Sequence, residues 1–180
     1  SSSAPLIVTG YTSLDYLIDF IASLSGERPE SVSILIGSEP SPARRRNYSL
    51  EKISLPQEIT DYWLEEGISL WLCHKVFIFI EMLKEGRVVT KYIPDQQNKL
   101  HAKIFLCDSS AILGSSNFSF TGMRKQLEAN ARFDADKEPK RFRELRQIGN
   151  NYWELGENYN DQLIELLNQL LKIVSWEEAL

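Results

Sequence analysis

Cysteine and histidine are scarce in this 180-residue chain, at two each. Cys73 and Cys107 both lie inside apolar, strand-like runs, which suits reduced core thiols and excludes a disulfide-stapled secreted scaffold. With only His74 and His101, and no carboxylates at metal-ligand spacing, no metal or other cofactor is expected. Apolar runs of membrane-spanning length are missing, and residues Ser1 to Pro5 lack the basic head and long apolar run of a secretory signal. A soluble, cytoplasmic protein without a membrane partner is the expectation.

An excess of positive charge is also absent, since the net charge is −5. Taken whole, that argues against a polyanionic partner. The deficit is local, however. From Tyr152 onward Glu154, Glu157, Asp161, Glu165, Glu177 and Glu178 face only Lys172, so the first 151 residues are neutral overall. Basic residues gather at Arg44-Arg45-Arg46, around Lys99 to Lys103, at Arg124-Lys125 and from Lys137 to Arg146. The last of these reads as the solvated face of a helix. With 43% apolar residues and 11% aromatics, the chain has the means to close one core, so a single domain over 1–180 is expected.

The periodicity predicts an α/β alternation. A strand at Leu6 to Thr9 precedes a helix from about Ser13, where Leu14, Leu17, Ile18 and Ile21 recur at helical spacing and Ser13 suits the N-cap. A strand at Ser31 to Ile36 follows, then a long Ser-, Pro- and Arg-rich loop from Gly37 to about Leu55, and a short helix from Pro56 to near Gly67. Ile68 to Leu72 reads as a strand. Val76 to Glu85 fits a strand by composition and a helix by its length and closing Gly86; the helix is expected. Strands then crowd together at Val88 to Ile93, Leu100 to Cys107, Ala111 to Gly114 and Leu127 to Phe133. Helices should begin near Pro139, Asp161 and Ser175, making 138–180 a helical segment. The last opens with capping-box spacing, Ser175 to Glu178, and stops one turn later, as expected of a piece of a longer protein. No internal repeat is visible.

The chemistry is concentrated in HAKIFLCDSSAILGSSNFSFTGMRKQLEANARF, residues 101–133. Strand alternation puts His101, Lys103 and Phe105 on one face and Ala102, Ile104 and Leu106 on the other. After the turn at Ser109-Ser110 the next strand brings Ser115 and Asn117 onto a shared face. If the two strands are neighbours, four polar groups meet. Neutral imidazole is a competent nucleophile at phosphorus, and a lysine with an asparagine amide can neutralise the non-bridging oxygens as charge builds.

These positions resemble the phospholipase D superfamily signature: histidine, any residue, lysine, four residues, aspartate, then glycine-serine-any-asparagine, at His101, Lys103, Asp108, Gly114, Ser115 and Asn117. Six fixed positions at about 5% usage each coincide by chance on the order of 10⁻⁸ of the time per start site. Thr121-Gly122 and Glu128 continue the pattern, whereas Gln126 stands where the superfamily commonly has asparagine. The resemblance implies a phospholipase D-like mixed β-sheet flanked by helices on both faces. It also implies His101 as nucleophile, Lys103 and Asn117 as phosphate binders, and Glu128 as the carboxylate orienting the imidazole. Ser115 would hydrogen-bond within the site, with Asp108 a structural support near the histidine.

One motif is chemically incomplete, because the leaving oxygen needs a proton donor in line with the nucleophile. Cys73-His74-Lys75 lacks the rest of the signature, so His74 does not supply it. Single-motif members of the superfamily work as two-fold dimers with the site at the interface, and a homodimer is implied here. The motif fixes the bond and not the alcohols beside it. No amphipathic basic helix or acyl-chain insertion points to lipid. Arg44, Arg45 and Arg46 offer phosphate contacts or simply a solvated loop. The whole-chain pattern, from LIVTGYTSLDYLIDF to SWEEAL, resembles the amino-terminal domain fused to bacterial helicase-type ATPases. The expectation is a metal-independent DNA endonuclease with a downstream helicase region. A catalytically silent DNA-binding or dimerisation module and a lipid phosphodiesterase are the alternatives.

Overall fold

A computed structural model describes residues 5–24, 31–37, 64, 70–93 and 100–173. Seven strands among them form one mixed sheet in the order β6-β5-β4-β1-β2-β3-β7. These are β1 (Leu6–Thr9), β2 (Val32–Ile36), β3 (Val88–Tyr92), β4 (Ile104–Leu106), β5 (Ser110–Gly114), β6 (Asn130–Asp134) and β7 (Glu157–Asn158). β1, β2 and β3 run parallel, and the remaining pairings are antiparallel. The helices are α1 (Leu14–Ser23), α2 (Cys73–Lys84), α3 (Phe120–Arg124), α4 (Pro139–Glu154) and α5 (Asn160–Ile173).

Strand alternation divides the apolar residues between two cores. Ile7, Ile34 and Ile36 face Leu17, Ile18 and Ile21 of α1, Val76 and Phe79 of α2, and Leu163 and Leu167 of α5. Leu6, Val8, Leu35, Ile104 and Leu106 point the other way and pack against Phe142 and Leu145 of α4. Each fully buried side chain of this kind contributes about 1.5–3 kcal/mol. The sheet is thus covered by helices on both faces, as the sequence predicts. No described helix is long and apolar enough to cross a membrane.

Several elements depart from expectation. Leu70–Leu72, in the segment read as a strand, is a 3₁₀ turn running straight into α2. The outer edge of β3 is taken instead by β7, a two-residue strand that carries no alternation to detect. The strand expected over Leu100 to Cys107 narrows to Ile104–Leu106, because its partner β1 ends at Thr9. That expected at Leu127 starts at Asn130, since the chain is still returning from α3, a single helical turn the apolar periodicity is too short to reveal. Ser13 occupies the N-cap in extended conformation without a capping hydrogen bond from its side chain. The expected loop and helix between Gly37 and Gly67 lie almost wholly outside the described residues, as does the helix at Ser175.

Two local devices hold the frame. The Asn160 carboxamide, at the start of α5, accepts from the Thr90 N–H (2.7 Å) and hydroxyl (2.8 Å) and donates to Val88 O (2.9 Å) and Leu83 O (3.4 Å). It therefore ties α5 to β3 and to the end of α2. At the opposite side of the sheet the β4–β5 hairpin turns at Cys107–Ser110, closed by the Cys107 N–H to Ser110 O bond (2.8 Å). Partial burial, and then the Asp108 carboxylate, push the Cys107 thiol above its usual range against the opposing pull of Arg132.

Two outcomes are expected. Asn160→Ala strands several polar groups, each costing about 1 kcal/mol or more when buried, so a loss of about 2–3 kcal/mol is expected. For a chain of this size that corresponds to roughly 4–12 °C in Tm, read by thermal unfolding. A raised thiol pKa keeps Cys107 protonated at neutral pH and slow to alkylate. In a Cys73→Ser background, Asp108→Asn should shift the iodoacetamide rate profile to lower pH, and Arg132→Gln to higher pH.

Candidate active site

β4 runs antiparallel to β1, with Val8 opposite Ile104. The residues just before β4 therefore lie beside the carboxyl ends of β1 and β2, the edge where open α/β sheets collect ligands. Lys103 is 4% exposed, on the same side of β4 as Phe105, while Ala102, Ile104 and Leu106 pack under α4. Its ammonium donates to the His101 carbonyl oxygen at 2.8 Å. Burying an ammonium is costly, and carbonyl oxygens are part of what holds this one. His101 itself is exposed.

β5 delivers the second group of residues. The Gly114 N–H donates to Lys103 O (3.2 Å), so the end of β5 lies alongside Lys103. The motif glycine is required there, because a Cβ on Gly114 would come within 2.6 Å of Ala129 O. Ser115 donates from its hydroxyl to the Glu128 carboxylate and accepts from the Ala129 N–H (3.0 Å), while its own N–H donates to Ala129 O (3.1 Å). Lys103, Ser115 and Glu128, far apart in sequence, are thereby brought to one end of the sheet. Ser116 turns inward and accepts from the Asn130 amide at 2.8 Å.

Asn117 follows, half-buried, and its carbonyl oxygen is the one buried side-chain polar atom without a hydrogen-bond partner among the described residues. A buried acceptor left unpaired costs about 1–3 kcal/mol. The backbone of the next residue, Phe118, is held at both its N–H and its carbonyl. The Phe118 N–H donates to Thr9 Oγ1 (3.0 Å), and Thr12 Oγ1 donates to Phe118 O (2.5 Å). Beneath it Gly122 of α3 makes so close an approach that a Cβ would sit 2.6 Å from Asn117 O. Ser119 caps α3 by accepting the Gly122 N–H at 3.2 Å. No motif marks Thr9 or Thr12 in the sequence; the only hint is a hydroxyl residue ending an apolar strand and a second one three residues on.

Asp108 does not join this group. It sits in the β4–β5 turn, five residues beyond Lys103 along the strand, or about 16 Å at 3.3 Å per residue. Its charge acts on Cys107, so a support near the histidine is not its position. His74 is exposed in the first turn of α2. Arg44, Arg45 and Arg46 lie outside the described residues. No three metal-ligating side chains come together among the described residues.

No protein-family model and no curated protein matches the chain in sequence. Solved structures do match. A phospholipase D family member, Nuc, from Salmonella typhimurium is 15% identical over 87% of this chain and 82% of that one, with a TM-score of 0.48. The phosphatidylserine synthase of Haemophilus influenzae Rd KW20 is 18% identical over 98% of this chain, with a TM-score of 0.54. The chain spans 40% of that synthase's length. Together with the sheet order and the helices on both faces, the second likeness establishes the architecture: a mixed α/β fold shared with that synthase.

Proposed function

We propose that the chain is a metal-independent phosphodiesterase acting on DNA, working as a homodimer within a larger helicase-type protein of the cytoplasm. The carrying observation is the meeting of Lys103, Ser115 and Glu128 at one end of the sheet, with His101 exposed beside Lys103 and Asn117 pinned next to Ser115. These residue types supply a nucleophile, a fixed cation and amide donors without drawing on a bound ion.

In this mechanism the lone pair of one His101 imidazole nitrogen forms a bond to phosphorus as the bond to the leaving oxygen breaks. That oxygen takes its proton from the imidazolium of His101 of the partner subunit. Water then attacks the phosphohistidine, giving a proton to the now neutral imidazole, and the N–P bond breaks to restore the first histidine. Lys103 and Asn117 balance charge on the non-bridging oxygens. Glu128, anchored by Ser115, is the carboxylate on hand to orient the imidazole. The partner's histidine is needed because the chain holds no second motif. DNA is favoured over lipid by the resemblance to helicase-linked domains and by the basic run Arg44 to Arg46.

The test is plasmid nicking in EDTA. His101→Ala should reduce it to background with an unchanged circular dichroism spectrum, and Lys103→Ala or Asn117→Ala should slow it about 10²- to 10³-fold. Nicking that survives His101→Ala would sink the mechanism, whereas DNA binding without cleavage by the unaltered chain would make it a silent binding module. Turnover of a phosphatidyl substrate with no response to DNA would assign it to lipid. Sedimentation should give twice the 20.7 kDa of one chain; a strict monomer at high concentration would remove the required acid.

A further inference from the structure

The stretch from Ser115 to Ala129 leaves the sheet beside Lys103 and returns beside Glu128, with its two ends tied together at Ser115. Between them, α3 and the turn after it hold up a group of exposed side chains: Phe120, Met123, Arg124 and Lys125. The Lys125 ammonium lies 5.1 Å from the centre of the Phe120 ring. Neither Arg124 nor Lys125 makes an ion pair among the described residues. Within the first 151 residues, which are neutral overall, these two adjacent cations make a local positive patch on a loop rooted at the site.

The loop is also held firmly enough to act as a fixed surface. Gly122 is packed on the Asn117 backbone, Ser119 caps the helix, and the Lys125 and Gln126 N–H groups both close on Thr121 O at 2.9 Å. Arg124 and Lys125 therefore keep a constant offset from Asn117 and lie to one side of the reacting centre. A lone phosphodiester would be met by Lys103 and Asn117 and would leave these cations idle. A polymer carries further phosphates beside the one attacked, and an exposed ring next to cations is the usual platform for a nucleic-acid strand.

We propose that the 115–129 loop is the subsite for the nucleic-acid strand flanking the scissile phosphate, with Arg124 and Lys125 on neighbouring phosphates and Phe120 offered to a base. This rests on the phosphodiesterase reading above and adds what the enzyme holds besides the bond it cuts. Contacts of this kind, to phosphates and to a base face, are largely independent of sequence.

Fluorescence anisotropy of a labelled single-stranded oligonucleotide, titrated with the His101→Ala chain across salt concentrations, tests it. Adding Arg124→Gln and Lys125→Gln should weaken binding at low salt about tenfold or more and flatten the slope of log K against log salt by about 1.4, two contacts at about 0.7 each. Exchanging the two as Arg124→Lys and Lys125→Arg should restore the slope, which separates lost charge from a disturbed fold. An unchanged slope in the glutamine variant would overturn the proposal. So would unchanged oligonucleotide affinity with lost binding to phosphatidylglycerol vesicles, which would hand the loop to a lipid surface. Hydrolysis of bis(4-nitrophenyl) phosphate by the unaltered chain in EDTA reads the catalytic step alone, so its absence strikes the phosphodiesterase and leaves the salt slope to judge the loop.

Discussion

The antiparallel seam between β1 and β4 decides where everything else at the site can be. With Val8 opposite Ile104, β4 enters the middle of the sheet in reverse, and its leading residues His101 and Lys103 arrive beside the carboxyl ends of the parallel strands. The register is held by packing and not by the polar residues. Ile104 and Leu106 lie under Phe142 and Leu145 of α4, and a slip of one residue would drive Lys103 into that apolar layer. The same seam positions β5, whose last residue donates to Lys103 O, and through β5 it positions Ser115, Asn117 and Glu128.

Against that firm background the site end is expensive in free energy. An ammonium is buried on Lys103, and an acceptor on Asn117 has no donor among the described residues. Hydroxyl latches from Thr9 and Thr12, together with the approach of Gly122, keep the Asn117 segment from relaxing to relieve that cost. Polar groups held in place by a rigid shell are what electrostatic stabilisation of a developing charge requires. The proposed chemistry and the cost of these polar groups thus draw on the same few residues.

The 115–129 loop links the two ends of the argument. Its roots carry Ser115 and Glu128, and its crest carries Arg124 and Lys125. Because the roots are tied together, contacts made at the crest bear on a structure continuous with the proposed reacting centre. A substrate long enough to reach both would be positioned by groups remote from the bond that breaks, which is how binding energy serves orientation.

The sequence by itself determined the parts with strong local signals. The period of α1, the apolar runs of β1 to β3, Pro139 opening α4, and the alternation that sets Phe105 against Ile104 and Leu106 were all legible. It misread Leu70–Leu72, lengthened β4, passed over α3 and β7, and set Asp108 beside the histidine. Those errors share a cause. Where a strand ends depends on where its neighbour ends, whether an apolar run becomes helix or strand depends on whether a sheet edge is free, and spacing along the chain does not say that residues five apart on a strand point to opposite ends of the sheet. Only the tertiary structure decided that Thr9 and Thr12 would latch Phe118 and that Lys103 would be buried, because the latches join residues 109 and 106 positions apart and burial is set by the packing of the whole sheet, which no local pattern records.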